Sequence, residues 1–442
     1  MSLGKHLRGA HVDHCKNTAG MPIIPMTLPE RVAIPMSQSI GAPCQPVVAV
    51  GDHVKLGQLI GNTEAPMSAP IHASVSGDVV AIEQFMTQNG RVDTNIIIQA
   101  DGKQEVAETV VPPVIDSRES FLKAVRDSGL VGLGGASFPM SVKYNVPDGS
   151  AEYLILNGAE CEPYITVDHA AMLSYGKEMI AGMRTTMKWL NIKHGIIGIE
   201  DNKPDAIENF RKLLEGATDI EVKALAHTYP QGAERVIIYE CTGRVCAAGM
   251  LPINVGCIVS NVVSMLKLEQ YFETGMPLVS KFLTVDGNAV AHPQNIEVPI
   301  GTEISEIIEF CGGTTAEVKK ILLGGPMMGR AIPRDDFAVL KSNNAILVFD
   351  ELFANKPEET ACINCGKCVD ACPMNLMPAR LSRAYKDKNV DALREYNVMT
   401  CMDCGCCAYV CPARKPLNFE FRLAKGLVQE DDRKRKEKEA KK

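Results

Sequence analysis

Two runs of cysteines near the C-terminal end repeat one spacing. Each reads C-x2-C-x2-C-x3-C-P, first as CINCGKCVDACP and then as CMDCGCCAYVCP. Together they use eight of the sixteen cysteines in the chain. Zinc sites usually pair two C-x2–4-C turns and lack both the third cysteine and the trailing Cys-Pro. Thiolates at this spacing are instead typical of the ligands of [4Fe–4S] clusters.

The spacing also predicts which cysteines share a cluster. Three cysteines two residues apart wrap around one cubane, whereas the fourth begins a helix that leads away and binds the other cluster. We therefore expect one cluster on Cys362, Cys365, Cys368 and Cys411, and the second on Cys401, Cys404, Cys407 and Cys372. Cys406 is an extra cysteine with no assigned role. Two such clusters predict that electrons pass through this segment.

A glycine-rich segment, GLVGLGGASFP at residues 129–139, could also do chemistry. It follows a predicted helix, so it is not the dinucleotide fingerprint, which follows a strand. Gly132, Gly134 and Gly135 by themselves leave open a tight structural loop and a phosphate-binding loop. Lys143, a few residues later, would by default be a surface lysine.

Polar side chains also follow a predicted strand in LILNGAECEP. Asn157, Glu160 and Glu162 lie where this strand ends. Open parallel sheets bind ligands at the carboxyl ends of their strands. The sequence therefore predicts a ligand site at this edge.

These segments carry a resemblance to a known family. GLVGLGGASFPMSVKY, NGAECEP, YPQGAERVIIYE and SNVV at 260–263 resemble the FMN- and NADH-binding motifs of the flavoprotein subunit of respiratory NADH dehydrogenase. A sandwich domain before the flavin domain, paired cluster motifs after it and LLGGPMMGRAIPRDD at 322–336 are closer to the RnfC family of the Rnf complex. The resemblance covers roughly residues 30 to 425.

The resemblance implies a non-covalent FMN and NAD(H) as substrate. The FMN phosphate and ribityl chain would be held by Gly132, Gly134, Gly135 and Lys143. The isoalloxazine would be surrounded by Asn157, Gly232 and Asn261. On the nicotinamide side, Phe138 would stack on the nicotinamide or adenine, and Glu162 and Glu234 would hydrogen-bond the ribose or carboxamide. Glu160 belongs to the same cofactor-binding set, and no residue is assigned a catalytic role.

The elements that must position these residues predict a multidomain fold of α/β and α+β type. Short β-runs separated by glycine turns predict a biotinyl/lipoyl-like β-sandwich over 31–104, after an extended segment over 1–30. Alternating strands and helices predict an α/β FMN/NADH domain over 115–240. Residues 241–350 are predicted to form a small β-grasp-like linking domain of SLBB type. A helical two-cluster ferredoxin-like domain is predicted over 356–425, and a charged tail over 426–442. Within these divisions, residues 234–275 are predicted to be helical.

Two local features argue against further bound groups. The modified lysine of biotinyl and lipoyl domains should lie on the turn near residues 62–68, where this chain has no lysine, so we expect no biotin or lipoate. His11, His14 and Cys15 form H-x2-H-C. A flexible, polar N-terminus is preferred there over a metal site.

Composition excludes some classes of protein. With 46 basic and 53 acidic side chains the net charge is −7, which disfavours nucleic-acid binding. The sequence contains neither a signal peptide nor an apolar run of transmembrane length, so a soluble or peripheral protein is expected. The resemblance implies a peripheral protein on the cytoplasmic face of the cell membrane, with an iron–sulfur subunit, other membrane subunits and ferredoxin as partners. Those partner subunits would translocate Na⁺ or H⁺.

Two alternatives remain open at this point. One is a soluble NADH-dependent flavo-iron–sulfur reductase that donates electrons to a cobalamin or amino-acid reductase. The other is a non-catalytic electron-wiring module whose flavin site has decayed. Two residues hint at the second alternative. Leu133 stands where the respiratory motif often has Arg, and Ala159 replaces the Asp of that motif.

Overall fold

The computed structural model describes residues 8–87, 90–354 and 358–440. The chain begins with an irregular segment, residues 8–22, that leads into strand β1 (Ile23–Pro25). We call residues 8–22 the N-terminal segment. It is followed by a two-sheet sandwich, a parallel α/β unit, a mixed sheet and a helical C-terminal unit.

The sandwich consists of two small antiparallel sheets that pack face to face. Its strands are β2 (Arg31–Pro35), β3 (Gln45–Pro46), β4 (His53–Val54), β5 (Leu59–Asn62), β6 (Ile71–His72), β7 (Gly77–Met86) and β8 (Val92–Ala100). One sheet has the order β2-β8-β7-β4 and the other β3-β5-β6. Aliphatic side chains that include Val32, Ile34, Ile60 and Ile96 fill the space between them.

The next unit is a four-stranded parallel sheet with helices on both faces. Its elements are α1 (Arg118–Asp127), α2 (Met140–Tyr144), β9 (Tyr153–Gly158), α3 (Val167–Ser174), α4 (Gly176–Trp189), β10 (His194–Glu200), α5 (Pro204–Leu213), β11 (Ile220–Leu225), α6 (Glu234–Thr242), β12 (Cys257–Asn261) and α7 (Val262–Thr274). The strand order is β11-β10-β9-β12, and every pairing is parallel. Strands covered on both faces are apolar almost throughout, as β9 and β10 are.

The structure corrects the expectation that residues 234–275 are helical. Between α6 and α7 the chain forms a short 3-10 helix at Pro252–Val255 and then β12, which pairs with β9. A strand of five residues that is buried on both faces has no alternation to distinguish it from a helix. Because β12 and α7 complete the parallel sheet, the boundary that we propose for this unit lies after Gly275 and not at 240.

The third unit is a six-stranded mixed sheet. It contains β13 (Ser280–Asp286), β14 (Gln294–Pro299), α8 (Ile304–Phe310), β15 (Lys320–Leu323), β16 (Arg330–Ile332) and β17 (Ala345–Phe349). The strand order is β1-β14-β13-β17-β15-β16, so β1 forms one edge and pairs in parallel with β14. The predicted extended N-terminal stretch is therefore tied to this sheet.

The C-terminal unit is helical around the cysteine runs. It comprises α9 (Glu351–Ala354), α10 (Lys367–Asp370), α11 (Pro378–Lys386), α12 (Val390–Glu395), α13 (Cys406–Tyr409) and α14 (Leu417–Ala440), with a 3-10 helix at Val398–Thr400. Helix α14 continues through the predicted boundary at 425 into the charged tail. There Asp431 pairs with Arg394 of α12 at 2.7 Å. Within 8–87, 90–354 and 358–440, no helix has the length and apolar character needed to cross a membrane.

Candidate functional site

Five cysteines from the two runs line one buried cavity. Four of them, Cys372, Cys401, Cys404 and Cys407, are the set that the spacing assigns to the second cluster, and the fifth is Cys406. The backbone N–H of Leu376 donates to Cys372 Sγ at 3.3 Å and that of Asp403 to Cys401 Sγ at 3.4 Å. Burial raises the pKa of the Cys401 thiol to about 12, so a metal must displace the proton. A cavity lined by sulfurs that accept backbone hydrogen bonds fits a [4Fe–4S] cluster.

The other predicted set lies at the surface. Cys362 and Cys365 are exposed, and the pKa of Cys368 is raised, first by burial and then by the nearby Cys411 and Cys362 thiols. Among the described parts of the chain, no three His, Cys, Asp or Glu side chains converge on a point that would suit a single metal ion.

The glycine-rich loop is open on one side and anchored on the other. Gly135 has φ of +107°, and a Cβ there would meet nothing within 4 Å, so its conformation rather than its packing requires glycine. The anchor is Leu133, whose N–H donates to Ser264 Oγ at 2.8 Å and whose carbonyl accepts from Lys281 Nζ at 2.9 Å. Leu133 is 1 % exposed, so the side chain that departs from the respiratory motif faces the core.

Several predicted flavin residues meet where β9 and β12 end. Lys143 Nζ lies 2.9 Å from both Glu234 Oε1 and the carbonyl of Val259. Asn157 Nδ2 donates to the carbonyl of Gly232 at 2.8 Å. The loop, two strand ends and the start of α6 therefore form one region that combines exposed amides with a lysine, as a phosphate-bearing ligand requires.

Asn261 links the glycine-rich loop to a carboxylate that sequence reasoning missed. Its Oδ1 caps α7 by accepting from the amides of Val263 and Ser264, while its Nδ2 donates to Asp168 Oδ2 at 2.6 Å. A Cβ on Gly134 would lie 3.4 Å from Asn261 Nδ2. Asp168 stands in the first turn of α3, and no spacing rule connects it to Asn261.

The two glutamates after β9 differ in their surroundings. Glu160 is buried, and its Oε1 accepts from the backbone N–H of Asp168 at 2.7 Å. Glu162 accepts from the N–H groups of Met327 at 3.0 Å and Met328 at 2.9 Å. Burial raises the pKa of both carboxyls to about 7.

The expected contact between Glu162 and NAD(H) stays a prediction, and within the chain Glu162 already has partners. Both of its oxygens already bind the loop at residues 324–329, which comes from the mixed sheet, and a Cβ on Gly325 would lie 2.2 Å from Glu162 Oε2. Phe138 is half-buried in the glycine-rich loop. Glu162 therefore fastens the mixed sheet to the end of β9.

The predicted flavin region and the cysteine-lined cavity are in direct contact. Tyr229, just before the segment that carries Gly232, packs with Cys404 and Cys406, and Cys161 joins the same group. Cys406 Sγ lies 3.7 Å from the carbonyl of Tyr229. The extra cysteine thus lies at the junction between the two regions.

The N-terminal segment is ordered by contacts and is not the flexible stretch that the sequence suggested. The N–H of Tyr164 donates to the carbonyl of His14 at 2.9 Å, and Ala10 pairs with Tyr229. His14 lies 5.9 Å from the ring of His227. Residue types alone gave no signal for these contacts.

Comparison with family models matches four parts of the chain. The Nuo51 FMN-binding domain matches residues 125–270, and the RnfC barrel sandwich hybrid domain matches 5–103. The SLBB domain matches 282–331 and the 4Fe-4S dicluster domain 361–415. These matches confirm the predicted FMN and iron–sulfur clusters as cofactors and the mixed α/β character of the fold.

Curated relatives cover nearly the whole chain. The RnfC protein of the proton-translocating ferredoxin:NAD(+) oxidoreductase complex of Clostridium ljungdahlii is 43% identical over 88% of this chain and 87% of its own length. Its counterpart in the Na(+)-translocating complex of Acetobacterium woodii is 39% identical over 95% and 96%. The corresponding protein of the ion-translocating oxidoreductase complex of Rhodobacter capsulatus is 35% identical over 96% and 83%. The chain therefore belongs to the RnfC family of the ion-translocating ferredoxin:NAD(+) oxidoreductase (Rnf) complexes.

Proposed function

We propose that this chain is the peripheral electron-transfer subunit of a membrane-bound ferredoxin:NAD⁺ oxidoreductase. It exchanges hydride between NAD(H) and FMN and passes single electrons through two [4Fe–4S] clusters. A nicotinamide transfers two electrons at once and a cluster accepts one, so a flavin is needed between them. Translocation of Na⁺ or H⁺ is assigned to partner subunits.

The observation that carries this proposal is the contact between the flavin region and the buried cysteine cavity. Tyr229 and Cys161, from the FMN-domain match, pack against Cys404 and Cys406 in a single cluster of buried side chains. A route for electrons needs the two cofactors close together with protein and not water between them. In the other cysteine set Cys362 and Cys365 are exposed, which suits delivery of electrons to or from a separate protein.

The FMN site that we propose keeps most of the residues that the resemblance implied. Gly134 and Gly135 offer backbone amides, and Lys143 offers the cation for the phosphate. Gly132 shapes the loop, since its N–H donates to the carbonyl of Phe138 at 2.9 Å. The surroundings of the isoalloxazine are assigned to Asn157, Gly232 and Asn261, with Phe138, Glu160 and Glu234 at the nicotinamide side. Bound FMN would supply the ability to take two electrons and release them singly. Glu162 is left out because the 324–329 loop binds it.

Partners and location follow from the same proposal. The exposed cluster would face an iron–sulfur subunit or ferredoxin, on the cytoplasmic face of the cell membrane. The names of the relatives describe ion-translocating complexes and thus favour this assignment over a soluble reductase.

The test is anaerobic reduction of the purified chain by NADH. We expect flavin bleaching followed by the electron paramagnetic resonance signals of reduced clusters, with FMN-depleted protein as the control. Cluster reduction by NADH without flavin would contradict the proposed order. A chain that binds no flavin and that NADH cannot reduce, although dithionite reduces its clusters, would support the wiring-module alternative.

A further inference from the structure

Lys16 of the N-terminal segment reaches into the turn that follows β9. Its side chain is 16 % exposed. Nζ donates to the carbonyls of Glu160 at 3.0 Å and Glu162 at 2.9 Å, and also to that of Ile165. We call residues 159–166 the β9 turn. An ammonium has three N–H donors and a neutral amine has two, so three carbonyl acceptors select the charged form.

The same ammonium faces a carboxylate. Lys16 Nζ lies 3.8 Å from Glu160 Oε2, a buried oxygen with no hydrogen-bond partner. The carbonyls and this carboxylate therefore surround one cation. Without it, several inward-pointing oxygens would repel each other in a site from which water is excluded.

Other charged groups also lie around Glu160. Lys203 forms a buried pair with Glu200 at 2.6 Å and also faces Glu160. Asp168 faces Glu160 from α3, accepts from Asn261 and has Lys281 as its nearby cation. Lys16 also faces Glu200 and the Cys161 thiol. Of the two cations that face Glu160, Lys16 has the larger effect on its carboxyl.

The rest of the segment holds Lys16 in place. Thr18 Oγ1 and Thr166 Oγ1 are 2.5 Å apart, and Asn17 Nδ2 donates to Asp286 Oδ1 at 2.9 Å. Ala10 pairs with Tyr229, just before the segment that carries Gly232. The segment is thus fixed on both sides of the residue that enters the turn.

We propose that the N-terminal segment forms part of the nucleotide site, with Lys16 as a positioning residue that shapes the β9 turn and favours the charged form of the Glu160 carboxyl. This inference rests on the proposed exchange of hydride with NAD(H). Burial alone raises the pKa of Glu160, and the adjacent ammonium opposes that rise. Loss of Lys16 should both loosen the turn and protonate Glu160 near neutral pH.

The experiment uses the full chain with FMN and both clusters. In Lys16→Met we expect amide hydrogen exchange of residues 158–166 to be at least tenfold faster. We expect the KM for NADH to rise at least fivefold while dithionite still reduces both clusters. The acidic limb of the NADH-dependent rate should move up by at least one pH unit. The control is Lys223→Met, which removes a lysine that binds the carbonyl of Cys241 at 2.8 Å on the outer strand.

A second variant separates charge from hydrogen bonding and decides the question if Lys16→Met fails to fold. Lys16→Gln keeps two N–H donors without the charge, so it should retain more exchange protection yet show the full pH shift. Exchange and pH profiles equal to those of the unmodified chain would overturn the inference. If the unmodified chain does not oxidise NADH, the proposed function fails. The exchange comparison then still decides whether Lys16 positions the turn.

Discussion

Replacement of Lys143 by alanine should weaken FMN binding and leave both clusters in place. A charged hydrogen bond to a phosphate contributes about 1.5–3 kcal/mol. Part of this is offset because Lys143 already pairs with Glu234. Their side chains are 26% and 42% exposed, and such a pair contributes about 0.2–1 kcal/mol. The net loss is therefore about 0.5–3 kcal/mol, or roughly 2- to 100-fold in Kd.

The same geometry predicts the opposite effect on FMN affinity when Glu234, the partner of Lys143, is changed. Glu234→Gln removes the carboxylate that competes with the phosphate for Lys143, so the variant should bind FMN equally well or up to about fivefold more tightly. Flavin-depleted protein would be titrated anaerobically with FMN and followed by quenching of flavin fluorescence. Iron content would be measured on each sample. Lys177→Ala, which changes an exposed lysine on α4, is the matched control.

The pair of results makes the test strict. An affinity of Lys143→Ala within twofold of the unmodified chain would show that the phosphate lies elsewhere. If Glu234→Gln lowered FMN affinity as much as Lys143→Ala did, FMN binding would depend on the ion pair itself and not on a contact between Lys143 and the phosphate.

Three further predictions address the clusters, the turn and pH. Cys372→Ser should lower the iron content from about eight to about four per chain, whereas Cys406→Ser should keep about eight; equal losses would make Cys406 a ligand. Glu162→Gln presents an NH₂ group to the amides of the 324–329 loop and should cost about 1–3 kcal/mol of unfolding free energy, measured by denaturant titration; unchanged stability would speak against this contact. Burial raises the pKa of Glu269 to about 7 from 4.5, so the folded chain binds more protons between these values and stability falls as pH rises through them. Glu269→Gln should reduce that fall, and melting temperatures that decline with pH as before would contradict it.

The sequence predicted best those features that depend on local spacing. The four cysteines predicted for the second cluster line one cavity because a single motif fixes where each cysteine can reach. The position of Asn157 followed from the rule that open parallel sheets bind ligands at the carboxyl ends of their strands, whereas Gly232 and Lys143 were implied by the family resemblance.

The features that were missed depend on contacts between distant residues. Lys16 reaches carbonyls in a different domain, and a carbonyl is available at every position, so no residue pattern marks the contact. Glu162 looked free to bind nucleotide because the 324–329 loop that covers it is remote in sequence. Strand β12 was mistaken for helix because a short apolar run lacks periodicity.

The pairing of β1 with β14 has a consequence for synthesis of the chain. Strand β1 emerges from the ribosome well before its partner β14, which follows the whole parallel sheet in the chain. Pairings between residues so distant form slowly, since the intervening chain must be ordered first. Asn17, next to Lys16, binds Asp286 of the same sheet, so this side of the N-terminal segment is fixed only late in translation. Residues that are made early are therefore among the last to reach their final place.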